Sequence, residues 1–349
     1  MASDPGRDLG GEPIHTRWLG VVVTGTDAGR VEARGSLLDL RTRGFLPVGG
    51  SMQGMGVIHH MELAWRIDPA SGTVETYEPG QPTVAFEPTP ETDGECCRDP
   101  MAAVRTLGGI ALGAGFSSAV RERIGGALGC SHLVTLSFFM DGAVRAGLAW
   151  QRAHVPARVA SPVPGAPLFR RDVVFDGHEH SDGQVVVGMR CGDLHWNDAP
   201  ATALAPDRFA AHHELRATLE VDLWPGELRA IEGAERMRTA ADFADAPWHE
   251  RTARLAALIG LGLARGAAGE LKRRLGDGDD VRPWQDALLH CAPALVQCRA
   301  AHPDAWHEKV RRTDRHPGLT AIPDSCWMWR RGGALERIRA EHGVTKGGR

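Results

Sequence analysis

Along residues 14–150, hydrophobic and polar positions first follow a strand pattern and then a helical one. Four strand-like segments come first, at Trp18–Gly25, Arg30–Arg41, His60–Ile67 and Thr73–Tyr77. The first two flank the sequence Thr-Asp-Ala-Gly and the last two flank Asp-Pro-Ala-Ser-Gly. Short turn-forming sequences between strands are typical of β-hairpins. The pattern therefore predicts two hairpins of an antiparallel sheet.

Helical spacing follows a proline-rich loop. Pro100 stands where a helix favours its first residue, and apolar residues then recur at near-helical intervals, at Met101, Val104, Leu107 and Ile110. Ser117–Ile124 predicts a second helix, which Gly125 and Gly126 end, and Leu133–Trp150 predicts a third. Strands followed by helices within one unit predict an α+β fold, with helices covering one face of the sheet.

This plan occurs twice in the chain. A shift of 154 residues superposes Gly29 on Gly183, Val31 on Val185, Asp39 on Asp193, His59 on His213, Asp68 on Asp222 and Gly72 on Gly226. A shift of 151 superposes Leu107 on Leu258, Leu112 on Leu263, Gly115 on Gly266, Arg123 on Arg274 and Gly125 on Gly276, so one loop is three residues shorter. We predict a tandem duplication of an antiparallel-sheet-plus-helices unit, with pseudo-twofold-related copies at 14–150 and 166–299, a linker at 151–165 and a C-terminal extension at 300–349.

Composition narrows the class of protein. The 349 residues carry 40 Lys and Arg against 44 Asp and Glu, a net charge of −4 without a basic stripe, so we expect no nucleic-acid partner. The longest apolar stretch, Leu255–Ala264, is far shorter than the ~20 residues of a membrane-spanning helix, and the first residues have no apolar signal-peptide core. We therefore expect a cytoplasmic protein with no membrane partner. Seven cysteines in such a protein favour free thiols or metal ligands over disulfides.

Cysteine and histidine side chains of the first copy carry the candidate chemistry. His59, Cys96 or Cys97, Cys130 and His132 supply the imidazole and thiolate ligands that bind zinc or iron. The spacing alone is weak evidence, because it contains no Cys-x-x-Cys pair. The alternative is that the cysteines are small buried hydrophobes and the histidines bond loop carbonyls.

A second hypothesis makes Cys130 a nucleophile. This residue lies just before a predicted helix, whose N-terminus lowers a thiol pKa, and His132 is placed to serve as the base. Two residues at i and i+2 do not face one another on a helix, so this catalytic pair requires a non-helical conformation at Cys130.

The two copies differ at these positions. Cys130 and His132 correspond to Val281 and Pro283, Cys97 corresponds to Trp248, and only His59 keeps a histidine counterpart, His213. Valine and proline can neither ligate a metal nor transfer a proton. We therefore expect the site in the first copy, and a packing role for the second.

Motifs through most of the first copy resemble a bacterial family known as domain of unknown function 2889. They are RGSLLDLRTRGF (34–45), IHHM (58–61), LGGIALGAGF (107–116), VRERIGG (120–126) and GCSHL (129–133). The family usually has His-Asp-Met where this chain has His-His-Met, and Pro-Tyr before the cysteine where this chain has Gly-Glu-Cys-Cys. The resemblance implies no established activity, and it leaves open whether Cys96 or Cys97 fills the family position.

The layout is also similar, more distantly, to scaffold proteins of the NifU and IscU type. His59, Cys97 and Cys130 match the three ligand positions of that layout, with His132 as a fourth donor. This analogy of layout raises the metal hypothesis above the alternative of packed side chains.

Three functions follow from these observations. The first is a metal-dependent enzyme acting on a small organic molecule, in which His59, Cys97, Cys130 and His132 hold zinc or iron and Cys130 and His132 take part in catalysis. The second is an iron–sulfur or metal-handling scaffold, and the third is a non-catalytic binding protein. The sequence contains no nucleotide or coenzyme fingerprint, so it specifies neither the reaction, the substrate nor the oligomeric state.

Overall fold

The computed structural model describes residues 9–42, 46–48, 51–53, 55–180, 183–199, 205–223, 226–263, 266–301 and 323–341. Twelve strands occur in these ranges: β1 (Glu12–Gly25), β2 (Val31–Arg41), β3 (Leu46–Val48), β4 (Ser51–Gln53), β5 (Gly56–Asp68), β6 (Thr73–Thr83), β7 (Ile110–Ala111), β8 (Pro167–Glu179), β9 (Gln184–Trp196), β10 (Phe209–Asp222), β11 (Glu227–Thr239) and β12 (His249–Glu250). Part of the predicted C-terminal extension, residues 302–322, and the chain end at 342–349 lie outside the described residues.

Ten of the strands form one continuous sheet. Their order is β12-β11-β10-β9-β8-β1-β2-β5-β6-β7, and β3 and β4 form a separate small hairpin. Neighbouring strands of the large sheet pair antiparallel throughout. The predicted α+β class with an antiparallel sheet is thereby confirmed.

The helices are α1 (Met101–Arg105), α2 (Phe116–Ile124), α3 (Ser131–His154), α4 (Pro156–Ala160), α5 (Thr252–Leu255), α6 (Ala267–Leu275), α7 (Arg282–Leu288), α8 (Cys291–Ala300) and a C-terminal helix, Ala334–Glu341. The longest, α3, packs across β1, β2, β5 and β8, and α8 packs on β1 and β8. In the described residues, no helix combines the length and apolar character needed to cross a membrane.

Two helix predictions differ from the structure at their ends. The predicted third helix lies within the longer α3, whose C-terminal end takes in the start of the predicted linker 151–165, while α4 occupies another part of that linker. The first helix ends at Arg105 rather than continuing to Ile110. Gly109 has a φ of +90° and its N–H bonds to the carbonyl of Val74, so the chain leaves the helix and adds a short strand to the sheet.

Side-chain alternation places a polar group in the core. Along β2, every second residue from Val31 to Arg41 is buried and faces the helices. At Gly35 the Met140 side chain of α3 fills the space that a side chain would occupy. Most of these buried residues are apolar, but the same alternation also buries Asp39 completely. A buried charge is stable only when it is paired, so the groups around Asp39 must compensate its charge.

The central strands pair in a repeated register. Arg17 of β1 lies directly opposite Asp39 of β2, and Arg171 of β8 lies directly opposite Asp193 of β9. Where the two hairpins meet, Leu19 pairs with Val173, the residue 154 positions later in the chain. The strands therefore pair in equivalent ways in the first half (residues 14–150) and the second half (residues 166–299), and the two halves meet where β1 pairs with β8.

Candidate metal centre

Asp39 is the centre of the candidate site. Arg17 on the neighbouring strand donates two hydrogen bonds to it, Nε to Oδ1 at 2.8 Å and Nη2 to Oδ2 at 2.7 Å. Burial favours the neutral acid, but the Arg17 guanidinium outweighs it and holds the pKa of Asp39 well below its usual range, with smaller contributions from His132 and His59. The carboxylate is therefore charged at neutral pH.

Two histidines reach this carboxylate from the sheet. His59 of β5 lies opposite Asp39, with 3.2 Å between its Nδ1 and Asp39 Oδ2. His15 of β1 approaches the other oxygen, with 3.4 Å between its Nε2 and Oδ1. Burial lowers the pKa of His15 to about 3, so its imidazole is neutral.

A third histidine comes from the helix layer. His132, in the first turn of α3, has its Nε2 3.4 Å from Asp39 Oδ2. Its ring lies against that of His59, with 3.8 Å between the ring centroids and 30° between the planes. Burial and then the neighbouring His59 lower the pKa of His132 to about 3, which leaves a neutral ring with a lone pair for a ligand.

The geometry of three of these groups suits a metal ion. One ligand atom each from Asp39, His59 and His132 lie within 4.8 Å of one another. Ligand bonds of 2.0–2.1 Å in a tetrahedral zinc site separate neighbouring donor atoms by roughly 3.3–3.5 Å. The separations from Asp39 Oδ2, 3.2 Å to His59 Nδ1 and 3.4 Å to His132 Nε2, are close to that spacing.

Hydrogen bonding gives a second indication. Buried His59 Nδ1 and both ring nitrogens of buried His15 make no hydrogen bond of regular geometry. Buried polar atoms are nearly always satisfied by protein, water or an ion, so such nitrogens beside a charged carboxylate suit a bound cation. Arg17 uses one lone pair of each Asp39 oxygen, and each oxygen has a second.

Cys130 lies on the other side of His132. It is the residue just before α3 and has an extended backbone, φ −99° and ψ 119°, which lets its side chain meet that of His132 despite the i, i+2 spacing. Its Sγ is 3.9 Å from His132 Nδ1, the ring nitrogen that faces away from Asp39. Burial raises the pKa of the Cys130 thiol to about 11.

Neither Cys96 nor Cys97 joins the group around Asp39. The Cys96 thiol is 3.1 Å from Asp99 Oδ1, within the loop that precedes α1. Burial, followed by the nearby thiols of Cys130 and Cys326, raises the pKa of Cys97 well above its usual range. Of the two cysteines, Cys97 is therefore the one whose pKa is raised by the neighbouring Cys130 thiol.

Two further segments of the chain contribute to the site. Gln297 of α8, in the second half, has its Nε2 3.2 Å from His132 Nε2. The C-terminal segment binds the start of α3, where the N–H of Trp327 donates to the carbonyl of Gly129 at 2.8 Å. Sequence motifs gave no sign of Gln297, because its contact with His132 spans 165 positions along the chain.

Asp39 and Arg17 were also absent from the candidates drawn from the sequence. A signal was present in the repeat, since the shift of 154 that superposes Asp39 on Asp193 also superposes Arg17 on Arg171. Charged residues at buried strand positions in both halves indicate a buried ion pair.

Among the described residues, the equivalent place in the second half has no comparable imidazole cluster. Arg171 binds Asp193 with two hydrogen bonds of 2.6 Å. His213 instead faces Glu235, with 3.8 Å between Nε2 and Oε2, and the position of Cys130 holds buried Val281. Across the described ranges, the group of Asp39, His59 and His132 is the one set of three donors with metal-ligand spacing.

The candidate site lies in the part of the chain that matches the profile of one protein family. Residues 15–145 match the profile of a family described as "Protein of unknown function (DUF2889)", which confirms the resemblance inferred from the sequence motifs. The matched span contains Asp39, His59, Cys97, Cys130 and His132. No curated protein and no solved structure matches the chain. The comparisons therefore give no support to the distant likeness to NifU and IscU scaffolds.

Proposed function

We propose that this protein is a metal-dependent enzyme acting on a small organic molecule, with one zinc or iron ion held by Asp39, His59 and His132. The observation that carries the proposal is the meeting of two imidazole nitrogens and one carboxylate oxygen within 4.8 Å. Two histidines and one carboxylate are a common ligand set for both metals, and they leave positions open for water or substrate.

The surrounding residues suit this role. Arg17 keeps Asp39 ionised and fixes its orientation, as groups around metal ligands commonly do. His132, with 14% of its side chain exposed, is the most accessible of the three ligands and marks the side from which a substrate approaches. A bound ion supplies Lewis acidity, which polarises a substrate oxygen or lowers the pKa of a bound water.

We also propose that the two halves arose by tandem duplication and that only the first retained the metal centre. The equivalent pairings of Arg17 with Asp39 and of Arg171 with Asp193 support this proposal. The second half, through Gln297, then serves as a packing partner that also touches the site. All seven cysteines are free thiols, which supports placing the enzyme in a reducing compartment such as the cytoplasm.

Equilibrium dialysis against zinc tests the proposal. Chelator-treated full-length protein should bind one zinc per chain, and His132→Ala should lose most of this binding. The matched change in the second half, His213→Ala, should keep it, because His213 lies beside Glu235 outside any such group. Absence of zinc and iron binding by the unmodified chain, or equal binding by His132→Ala, would refute it.

One observation favours a second candidate function, catalysis by a cysteine nucleophile. His132 lies between Cys130 and Asp39: its Nδ1 is 3.9 Å from Cys130 Sγ, and its Nε2 is 3.4 Å from Asp39 Oδ2. This is the order of nucleophile, base and orienting acid in thiol hydrolases. Burial, which raises the pKa of Cys130 to about 11, disfavours the thiolate, so we rank this function second.

Iodoacetamide labelling separates the two functions. A catalytic Cys130 should be alkylated well before the buried Cys191 and Cys291, and chelation should not affect turnover. In the metal enzyme, chelation should abolish metal-dependent turnover, and Cys130 should react no faster than these two cysteines.

A further inference from the structure

Helix α8 of the second half brings a polar side chain to the candidate metal centre of the first half. The helix packs on β1 and β8, the two strands at which the halves meet. The residues that it buries recur at helical spacing, and they are Cys291, Ala294, Leu295 and Cys298. Gln297 lies beside this buried face, and its side chain reaches His132 at the start of α3.

Close packing of α8 fixes the place of Gln297. A Cβ at Gly177 of β8 would collide with Cys298 Sγ, so the helix approaches the strand where no side chain intervenes. The next residue along α8, Arg299, donates a hydrogen bond of 2.8 Å from its Nε to the carbonyl of Leu223. Both anchors directly follow Gln297 in the helix, so the glutamine projects from a firmly held part of the fold.

The contact between Gln297 and His132 determines where the imidazole has its lone pair. Gln297 Nε2 is 3.2 Å from His132 Nε2. An amide nitrogen donates hydrogen bonds and does not accept them, so the neutral ring accepts at Nε2 and carries its proton on Nδ1. His132 Nε2 and Asp39 Oδ2, which are 3.4 Å apart, are then both acceptors. Two acceptors at this distance suit a cation that both can bind.

The same contact has the spacing of two ligands on one ion. Neighbouring donor atoms in a tetrahedral zinc site are roughly 3.3–3.5 Å apart, and the end of the Gln297 side chain is 3.2 Å from His132 Nε2. An ion bound at that nitrogen therefore has the amide as an immediate neighbour. His132 is also the most accessible of the three proposed ligands, so the amide lies on the side from which a substrate approaches.

The chemistry at this contact is specific to one half of the sequence repeat. The shift of 151 residues that aligns the two halves puts Pro283 at the place of His132 and Ala146 at the place of Gln297. Proline and alanine side chains neither donate nor accept hydrogen bonds. The architecture common to both halves therefore does not require a glutamine at this position.

We propose that Gln297 is a substrate-binding residue of the metal centre and donates a hydrogen bond to the oxygen through which the substrate binds the ion. This inference rests on the proposed function. When the ion takes the lone pair of His132 Nε2, the amide N–H loses its acceptor, and an oxygen ligand in the open coordination position replaces it. A neutral N–H donor suits a carboxylate, hydroxamate or carbonyl oxygen. The substrate class is therefore a compound that binds the ion through such an oxygen.

Isothermal titration of the zinc-loaded full-length protein tests this role with two probes, acetohydroxamate and imidazole. Acetohydroxamate binds zinc through oxygens that accept hydrogen bonds, whereas imidazole binds through one nitrogen and presents an N–H donor at the other. Gln297→Met keeps the length of the side chain and removes the amide. It should weaken acetohydroxamate binding about three- to tenfold and leave imidazole binding unchanged.

Zinc affinity, measured by competition with a chromophoric chelator, gives a second readout. Gln297→Glu places a carboxylate at ligand spacing from His132 Nε2, so it should bind zinc at least about tenfold more tightly. Gln297→Met should bind zinc no more weakly than the unmodified chain, because the amide that occupies the His132 lone pair is gone. Weaker zinc binding by either variant, or an unchanged affinity in Gln297→Glu, would overturn the proposal.

The matched control is Gln285→Met on α7. Gln285 donates a hydrogen bond of 2.7 Å from its Nε2 to the carbonyl of Gly276 within the second half, so its loss should leave both probe affinities unchanged. Thermal unfolding of each variant checks that the fold is intact.

The proposal is also overturned if Gln297→Met binds acetohydroxamate as well as the unmodified protein does, if it loses imidazole affinity equally, or if Gln285→Met shows the same loss. In each of these cases the bound zinc leaves the proposed metal centre standing. Absence of zinc binding by the unmodified chain would overturn this inference as well, and the proposed function fails with it if iron is not bound either.

Discussion

The two halves of the chain build the same buried ion pair and surround it differently. Arg17 and Asp39 in the first half match Arg171 and Asp193 in the second, in strand position and in bidentate geometry. Around Asp39 the fold adds three imidazoles, whereas His195, next to the second pair, stacks on Trp150 with 4.1 Å between ring centroids. The ion pair is therefore common to both halves, whereas the imidazole cluster, to which we assign the proposed metal site, distinguishes the first half from the second.

Removal of either buried carboxylate should give the largest effect on stability. Asp39→Ala leaves the buried Arg17 without its carboxylate partner, so it should lower the free energy of unfolding by about 3–5 kcal/mol. Asp193→Ala should lower it somewhat less, because Asp286 lies 3.4 Å from Arg171 and still faces that guanidinium. Urea denaturation measures both changes. A loss below about 1 kcal/mol for either variant would show that the pair in that half is not a structural element.

A smaller effect should follow from crowding the contact between the halves. A Cβ at Gly147 of α3 would lie 2.4 Å from Phe169 Cδ1 on β8, so Gly147→Ala should cost about 1–3 kcal/mol. Gly142→Ala on the same helix is the control, because its nearest neighbour, Asp286, is 3.6 Å away. That change should be neutral or stabilising by up to about 1 kcal/mol, since alanine favours helices. Equal thermal shifts for the two variants would contradict close packing of α3 on the second half.

A still smaller, pH-dependent effect should distinguish Glu235 from Gln81, the equivalent residue of the first half. Burial alone would raise the pKa of Glu235, but His213, Arg251 and Trp284 lower it to about 2. A depressed folded pKa stabilises the protein above the unfolded pKa, and this contribution is lost as the pH falls from about 4.5 towards 2.

Glu235→Gln should therefore reduce stability by about 1 kcal/mol at pH 7 and by progressively less on acidification. Gln81→Ala serves as the control, because a neutral amide contributes no titration and should leave the acid dependence unchanged. Urea midpoints between pH 2 and 7 give the comparison. A pH-independent difference between Glu235→Gln and the unmodified chain would contradict the assigned role of this carboxylate.

Much of the fold followed from sequence pattern because strands and turns are local. The hairpins around the turns at 26–29 and 68–72 were predicted from short-range residue preferences, and the structure has them. The end of the first helix was missed because it depends on the bond from Gly109 to Val74, a contact between distant segments. A helix end of this kind depends on tertiary contacts, and the spacing of apolar residues along the chain carries no information about such contacts.

The candidate site was predictable only in part for the same reason. His59 and His132 were named from the sequence and are brought together, while Cys130 lies beside His132 and Cys97 outside the group. The sequence repeat shows Asp39 as a residue common to both halves. Its burial and its short distance to His59 depend on how the strands pair, which the repeat does not reveal. Gln297 required knowledge of how the second half packs against the first.

The most direct test of the central claim is X-ray absorption spectroscopy of the zinc-loaded full-length chain. Ligation by Asp39, His59 and His132 predicts a first shell of nitrogen and oxygen only, at about 2.0–2.1 Å, with one zinc per chain. Cys130→Ala should leave that spectrum unchanged, because the thiol lies at the ring nitrogen of His132 that faces away from Asp39. A zinc–sulfur shell at about 2.3 Å would contradict this ligand set and would show that a cysteine ligates the metal.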